Sequence, residues 1–553
     1  MRRYYAGEQL YAKRSDPLRI GGRPLAAFDW DALPAKADPR DRDEFDAVII
    51  GSGLGGLSCA AAFARQGYRP LVVEQHDKAG GYATAFSRPG GFVFDVSLHS
   101  TVAGERNGMH NLIAGFPEIA DVEFVAHPSL YRAIFPKHDI RVRQRAPARY
   151  LTQLADRFPE EAGGIESLFA DMQALSREIE KLSRNQGNVD VARFPLEYPV
   201  LYRCGQQTWG QMVDAHLRDR RLKAIVSAQW VYYGLPPSKL ASFYYALPAF
   251  GYLEQGGYYP RGRSQTISDA LVKLIEAHGG KLLVNTRVDR ILTRNGTAYG
   301  IQCEDGKQFQ ARAVVSNASA GQTFARLLDE DPENDDGTFS AYKERMAGLS
   351  TSLSSFQVFL GLNRDLVGKL EIPDSEIFLV PGYDPEADYE AARRADVERT
   401  GMCVTLYDNL FNAYSPRRKN TVNLTVLQGF DYWEEFEKDY RAGNKTGYNA
   451  EKQRLARLMI GRAEALLPGL SESIEVEEIG TPLTNMRYTG NDRGAIYGWD
   501  QTVDNSGDRR VGHATPIRNL YLAGAWTRPG HGYGGVIQSG LECFGEIVRE
   551  WHT

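Results

Sequence analysis

The stretch "AVIIGSGLGGLSCAAAFARQGYRPLVVE", Ala47 to Glu74, limits what this chain can fold into more than any other. An apolar run leads directly into Gly51-x-Gly53-x-x-Gly56, and a second apolar run ends on an acid. The pattern predicts a βαβ unit: strand Ala47–Ile50, helix Gly55–Gln66 and strand Pro70–Glu74. Gly51 allows a tight turn, Gly53 lets the backbone approach a pyrophosphate, and Gly56 lets the helix pack on the strand. The helix N-terminus turns unpaired N–H groups and a positive dipole end toward the phosphates, with Ser52, Leu54 and Gly55 completing the turn. Glu74, at the end of the next strand, is placed to accept hydrogen bonds from a ribose diol. A glycine turn alone occurs without any ligand. Strand, helix and acid together make this one a dinucleotide site.

At 553 residues the chain exceeds one ordinary core, so two domains or one large two-part fold is expected. A formal charge of -5 gives no general basic footprint for nucleic acid. The five cysteines (Cys59, Cys204, Cys303, Cys403 and Cys543) are scattered and form no C-x-x-C pair. That suits a reducing compartment and argues against a disulfide framework or a structural zinc site; no metal is expected. The N-terminus, "MRRYYAGEQLYAKRSDPLRIGG", has no apolar core of a secretory signal, and no apolar run is long enough to span a bilayer. A cytoplasmic protein is expected, with any membrane contact peripheral.

Residues 1–43 are polar and end in a charged run, which reads as an extension. From about 112 to 250 the pattern is mostly helical, including "EAGGIESLFADMQALSREIEKLSR"; a further helix, "ISDALVKLIEAHGG", closes on Gly279-Gly280. Short strands follow in "KLLVNTRVDRILTR", "AYGIQCED" and "FQARAVVSNAS". The alternating segments "SSFQVFLGLN", "SEIFLVPG", "MCVTLYD" and "TVNLTVLQ" predict a second sheet. The chain ends with strand "NLYLAG", a glycine-rich turn and helix "VIQSGLECFGEIVREW".

Gly80-Gly81, just past the acid in "VEQHDKAGGYATAF", resembles the extended signature of the large flavoprotein superfamily that includes amine oxidases and carotenoid desaturases. The C-terminal "NLYLAGAWTRPGHGYGGVIQSGLECFGEIV" agrees with it. The resemblance is closer on "LVVEQHDKAGGYATAFSRPGGFVFDVSLHS", "YGLPPS…FGYLEQGGYYPRGRSQTISDALVKLIEAHGGKLLVNTRVDRIL" and "MRYTGNDRGAIYG". With the C-terminus, these stretches are similar to the phytoene desaturase, carotenoid isomerase and retinol saturase family. The resemblance implies non-covalent FAD, bound through the first turn with Glu74, Gln75, Gly80, Gly81 and Thr84. It also implies contacts from Val288, Asn317, Gly524, Ala525, Gly532, Tyr533, Gly534, Gly535 and Val536. The implied fold is α/β, a glutathione-reductase-like (Rossmann-type) FAD domain from segments 44–110, 262–330 and 480–553. A mixed sheet-and-helix substrate domain, 111–261 and 331–479, is inserted into it.

Two positions depart from the family pattern. Asp95-Val96-Ser97 stands where D-x-G is usual, and Pro260-Arg261-Gly262-Arg263 where P-x-G-G is usual. Arg263 therefore brings a cation to a place where bare backbone is expected. It is a candidate for stabilising reduced flavin or gripping a substrate carboxylate, against a surface or phosphate-neighbour role. His531, in "PGHGYGG", is a candidate on the substrate side of the flavin, against a solvent-exposed loop position. His99 resembles the family's position near the flavin, with a hydrogen-bonded structural role as the weightier reading. The aromatic run "WVYYGLPPSKLASFYYALPAFGYLEQGGYY" suits the lining of an apolar tunnel, a membrane interface or core packing between domains.

These readings imply an FAD-dependent oxidoreductase acting on carbon–carbon bonds of an apolar polyene, isoprenoid or lipid-like substrate. Cis–trans isomerisation shares the scaffold and is the alternative. A flavin-free escort protein for isoprenoid lipid is the alternative of another class. No second G-x-G-x-x-G follows a strand, so no dedicated NADPH domain is expected; electrons would pass to oxygen, a quinone or a partner protein.

Overall fold

The computed structural model describes residues 45–103, 108–184, 190, 192–328 and 337–552; the expected extension at 1–43 lies outside them. A first seven-stranded sheet has the order 288–294, 297–303, 308–316, 45–50, 70–73, 281–283, with 520–522 paired to 308–316. Phe45–Ile50 lies parallel to both neighbours, with Ile49 beside Val72 on one side and Val315 on the other. Val48, Ile49, Val72, Val314 and Val315 are fully buried. Burial on both faces explains why these strands read as unbroken apolar runs.

Helix Leu54–Arg65 follows the first strand and is buried along almost its whole length. Its small residues let the C-terminal helix, Tyr533–His552, approach closely: a Cβ on Gly540 would lie 2.2 Å from the Gly55 carbonyl oxygen. Helix Gln265–Ala277 packs through Ile267, Leu271, Leu274 and Ile275, the one-face spacing of an amphipathic helix.

The second seven-stranded sheet has the order 474–480, 354–362, 420–428, 402–405, 376–379, 131–135, 138–142. Its pairs are antiparallel except Glu376–Leu379 with Tyr131–Phe135. The last two strands form a hairpin inside the region expected to be mostly helical. Tyr131, Ala133 and Phe135 are buried and alternate with half-buried Arg132 and Ile134, a period of two that the helical segments on either side obscure. The long helix Ala162–Arg184 and the helix Ser242–Gln255, with Pro248 inside it, lie in that same region.

Candidate functional site

One cavity of about 1470 Å³ is lined by residues of both sheets. Single-ligand pockets span roughly 300–1,000 Å³, so this one has room for a dinucleotide and a further molecule.

The glycine turn and the sequence-predicted acid meet at one end. Gly51, Gly53, Leu54 and Gly55 line the cavity together with Glu74 and Gln75. Ser52 is not on the wall: its N–H and Oγ both donate to Glu74 Oε2, at 2.8 and 2.7 Å. The His76 N–H donates to Glu74 Oε1 at 2.8 Å. Three protein donors therefore orient the carboxylate at the strand end. Gly56 is also off the wall, and a Cβ there would stand 2.3 Å from the Gly51 carbonyl oxygen. Its lack of a side chain serves helix-on-strand packing.

Asn317, at the end of strand Gln308–Ser316, lines the same end. Its amide is wedged among three glycines. A Cβ on Gly53 would lie 2.8 Å from Nδ2, and Cβ atoms on Gly55 and Gly524 would lie 2.7 and 2.5 Å from Oδ1. A side chain at Gly53 would have to displace the Asn317 amide, whereas one at Gly55 would also meet the Gly524 backbone at 2.7 Å. Gly80, at φ +127°, donates its N–H to the Ser52 carbonyl at 3.0 Å, folding the chain back over the first turn. Gly80, Gly81, Thr84 and Val288 all line the cavity.

The C-terminal segment closes this part of the wall with Gly524, Ala525, Gly532, Tyr533, Gly534, Gly535 and Val536. Helix Tyr533–His552 starts there, so its first-turn N–H groups lie at the cavity. Arg510, buried to 2% exposure and unremarked in the sequence, pins the approach by donating to the Ala525 and Thr527 carbonyls at 2.7 and 3.0 Å. Burial lowers its pKa to about 10, so it stays charged at neutral pH. Side-chain-free cradles, two helix N-termini and an oriented carboxylate fit a flavin dinucleotide.

The other end is aromatic. Tyr232, Tyr244, Tyr252 and Phe378 line it, with Leu427 and Cys403. Two of the phenols turn their oxygens onto backbone, Tyr252 donating to the Ser100 carbonyl at 3.0 Å and Tyr244 to the His531 carbonyl at 3.2 Å, while Tyr232 donates to a Glu376 carboxyl oxygen at 3.1 Å. Tyr497 donates to the Val231 carbonyl at 2.9 Å. With these tips satisfied, the rings present apolar faces, and Tyr233 Oη, Gln255 Oε1 and His531 Nδ1 are among the buried polar atoms of lining residues left without a partner there. The aromatic run therefore divides between cavity wall, which also takes Trp230 and Tyr233, and core, where Tyr245 and Phe250 are buried.

The three catalytic candidates end in different places. His531 lines the cavity with its ring 4.3 Å from that of Tyr497, and it is buried, not solvent-exposed. Burial, reinforced by the Arg510 charge, pulls its pKa down to about 3, so the imidazole is neutral. His99 also lines the cavity, with Nδ1 2.8 Å from Thr405 Oγ1, and burial lowers its pKa to about 4.

Arg263 is a correction: it is not among the cavity-lining residues. Its Nε donates to the Val93 carbonyl at 3.1 Å, its Nη2 to the Tyr414 carbonyl at 2.6 Å, and the guanidinium lies 4.1 Å from the Tyr414 ring centre. The backbone keeps a left-handed φ of +75°, the conformation that favours glycine. Two of the five guanidinium donors are thus spent on backbone carbonyls and the plane stacks on a ring, away from the cavity wall. The turn it occupies delivers the Ser264 N–H and Oγ to Asp95, which also accepts from Tyr259, Ser97 and Leu98. Asp95 thereby anchors the loop that carries His99. Ser97, at the family's glycine position, keeps an ordinary φ and donates its Oγ to the Tyr82 carbonyl at 2.9 Å.

Residues beside His99 escaped the sequence reading. Glu376, Cys403 and Thr405 come from two apolar strands and surround it, and Glu376 is 1% exposed. The available signal was a carboxylate inside the run "SEIFLV".

The family described as flavin containing amine oxidoreductase matches residues 54–547. An all-trans-retinol 13,14-reductase of Danio rerio is 25% identical, over 92% of this chain and 86% of its own length. Prolycopene isomerase 1, chloroplastic, of an Oncidium hybrid cultivar is 26% identical, over 92% and 85%. Among solved structures, cyclohexylamine oxidase from Brevibacterium oxydans superposes with a TM-score of 0.57 at 14% identity, covering 92% of this chain and all of that one. An oxidoreductase from Methanosarcina mazei gives a TM-score of 0.55 at 17% identity, covering 92% of this chain and all of that one. These likenesses share the α/β fold with a Rossmann-type FAD-binding part. The chain belongs to the flavin containing amine oxidoreductase family and is an FAD-dependent oxidoreductase.

Proposed function

We propose that the protein desaturates or saturates carbon–carbon bonds of an apolar polyene, isoprenoid or lipid-like substrate. The observation that carries this reading is the continuity of one cavity. Its glycine-turn end fits FAD, and its aromatic end, around Tyr232, Tyr252 and Phe378, offers rings whose polar atoms are already satisfied. Such a wall suits a long hydrocarbon. Relatives named as a retinol reductase and a prolycopene isomerase point the same way.

Bound FAD supplies or takes up the hydride equivalent of such chemistry. The chain's own part is to hold the double bond in place, keep water out and move a proton. In this reading segments 44–110, 262–330 and 480–553 bind FAD, and 111–261 with 331–479 bind substrate. The predicted cofactor residues that line the cavity contact FAD, while Ser52 and Gly56 support them from behind. A cytoplasmic location with peripheral membrane contact, and an acceptor or donor such as oxygen, a quinone or a partner protein, belong to the same proposal.

Isomerisation is the second reading, favoured by a prolycopene isomerase as similar to this chain as the reductase is. Anaerobic incubation of the purified protein with polyenes tests both. Loss or gain of two hydrogens in the product, with matching bleaching or return of the flavin colour, supports the redox reading. Unchanged mass with a shifted polyene spectrum selects isomerisation. Flavin bleached by amines such as cyclohexylamine, with every polyene untouched, would overturn both.

A further inference from the structure

Behind the aromatic end of the cavity the second sheet buries a carboxyl group. Glu376 Oε1 accepts from the Cys403 thiol at 2.6 Å and from the Tyr232 phenol at 3.1 Å. Its Oε2 lies 3.4 Å from Thr405 Oγ1, which in turn lies 2.8 Å from His99 Nδ1. His99, Tyr232 and Cys403 line the cavity, while Glu376 and Thr405 stand one layer behind. A continuous chain of exchangeable hydrogens therefore runs from an enclosed carboxyl to an imidazole on the cavity wall.

Counting donors gives that chain a direction. Cys403 and Tyr232 occupy Oε1, so any carboxyl proton belongs on Oε2, facing Thr405. The Thr405 hydroxyl, receiving that hydrogen bond, spends its own hydrogen on His99 Nδ1. A neutral imidazole accepting at Nδ1 carries its hydrogen on Nε2. Burial, opposed by the Cys403, Tyr232 and Thr405 contacts, pushes the Glu376 pKa up to about 7, so protonated and ionised forms are both populated near neutral pH.

We infer that Glu376 is the proton reservoir for the carbon–carbon chemistry, acting through Thr405 and His99; this rests on the polyene reading above. Reduction of a double bond adds a hydride equivalent, supplied by reduced flavin, and a proton. The carbon left with the electron pair takes its proton from His99, the Nε2–H bond breaking as the C–H bond forms. The Thr405 hydroxyl proton passes to His99 Nδ1, and the Glu376 carboxyl proton passes to Thr405 Oγ1. Glu376 ends ionised, still holding its bonds from Cys403 and Tyr232. Desaturation runs the same transfers in reverse. His99 is the catalytic residue; Thr405 and Glu376 are positioning residues that recharge it.

The groups facing this acid are uncharged at neutral pH. Tyr252 and Tyr407 add to the phenols around it, and beside His99 burial keeps the His127 imidazole down at about 3. The nearby arginines of the hairpin are paired: Arg141 with Asp374 at 2.8 Å, and Arg132 with Asp139 at 2.6 Å.

Infrared titration of the FAD-loaded protein in D2O, without substrate, reads the reservoir directly. Burial also raises Asp388, Asp408 and Asp500 to about 6, so the reading is the difference between parent and Glu376→Gln. A protonated carboxyl component should be present in the parent near neutral pH, be lost as pH rises further, and be missing from Glu376→Gln. Thr405→Val should keep the band and cut the wire. Turnover of a polyene should fall roughly 10²–10⁴-fold in both variants, the range of general acid–base catalysis, and the pH–rate limb near neutrality should vanish in Glu376→Gln. Parental turnover in both variants, a carboxyl band near neutral pH unchanged by Glu376→Gln, or a stoichiometric divalent metal that co-purifies and is lost from Cys403→Ser would each overturn the relay. If the parent converts no polyene, the functional reading fails and the relay's role in that chemistry fails with it, whereas a parent that converts polyene with both variants at parental rate overturns the relay alone.

Discussion

At the cofactor end of the cavity, most requirements are met between Gly51 and Gly81: strand, turn, helix, acid and second turn follow one another along the chain. At the substrate end, neighbours come from residues far apart, as when His99 meets Thr405 or Tyr252 meets the Ser100 carbonyl. The first end is a local motif that the sheet merely presents. The second exists only after the two sheets have packed. The same cavity thus joins a region where single residues have one permitted identity to one where identity depends on tertiary partners.

If that contrast is right, the largest effect belongs to Gly56→Ala. The added Cβ would meet the Gly51 carbonyl oxygen at 2.3 Å and Ile49 Cγ2 at 3.1 Å, with backbone as the obstacle. Overpacking of this kind costs about 1–3 kcal/mol or more, and the turn is what must shift. The variant should melt lower and purify with little flavin, measured by thermal unfolding and absorbance.

Glu74→Ala should come next. Loss of a charge-assisted hydrogen bond to ribose would weaken FAD retention by about 1.5–3 kcal/mol. The Ser52 and His76 N–H groups lose their acceptor as well, so the fold is disturbed along with the cofactor. A fluorescence titration of released FAD against chemical denaturation separates the two effects. Retention equal to the parent would show that the carboxylate serves the turn alone.

The smallest effect is expected at Arg263→Gly. Relief of a left-handed φ, worth about 1–2 kcal/mol, offsets two hydrogen bonds to carbonyls and a ring contact. Stability should move by about 1 kcal/mol or less, and the flavin midpoint potential should not move. A shifted potential would return the guanidinium to the flavin.

The parts of the fold that were legible obey the same contrast. Strand Phe45–Ile50, helix Leu54–Arg65 and strand Pro70–Val73 lie close to their expected spans because apolar run, glycine turn and helix start are each settled locally. The hairpin Tyr131–Phe135 and His138–Val142 was hidden because its short alternation sits among helical stretches, and its first strand pairs with Glu376–Leu379 far along the chain. Arg263 could be recognised as unusual, but the direction of its fork is set by Val93 and Tyr414, which no spacing reveals. His99 could be noticed singly; Glu376, Cys403 and Thr405 acquire meaning only beside it.

Gly251 offers the most direct test that one cavity holds flavin at one end and an apolar substrate at the other. It lies on helix Ser242–Gln255 and lines the cavity, and a Cβ there would meet nothing within 4 Å. Gly251→Phe should therefore fill the aromatic end while leaving the glycine turns untouched. Flavin content and anaerobic polyene conversion would be measured on the same preparation. The account predicts a yellow protein with parental FAD content and polyene conversion lost. Parental conversion by a variant that is folded and FAD-loaded, or loss of FAD from a variant that is otherwise folded, would contradict it.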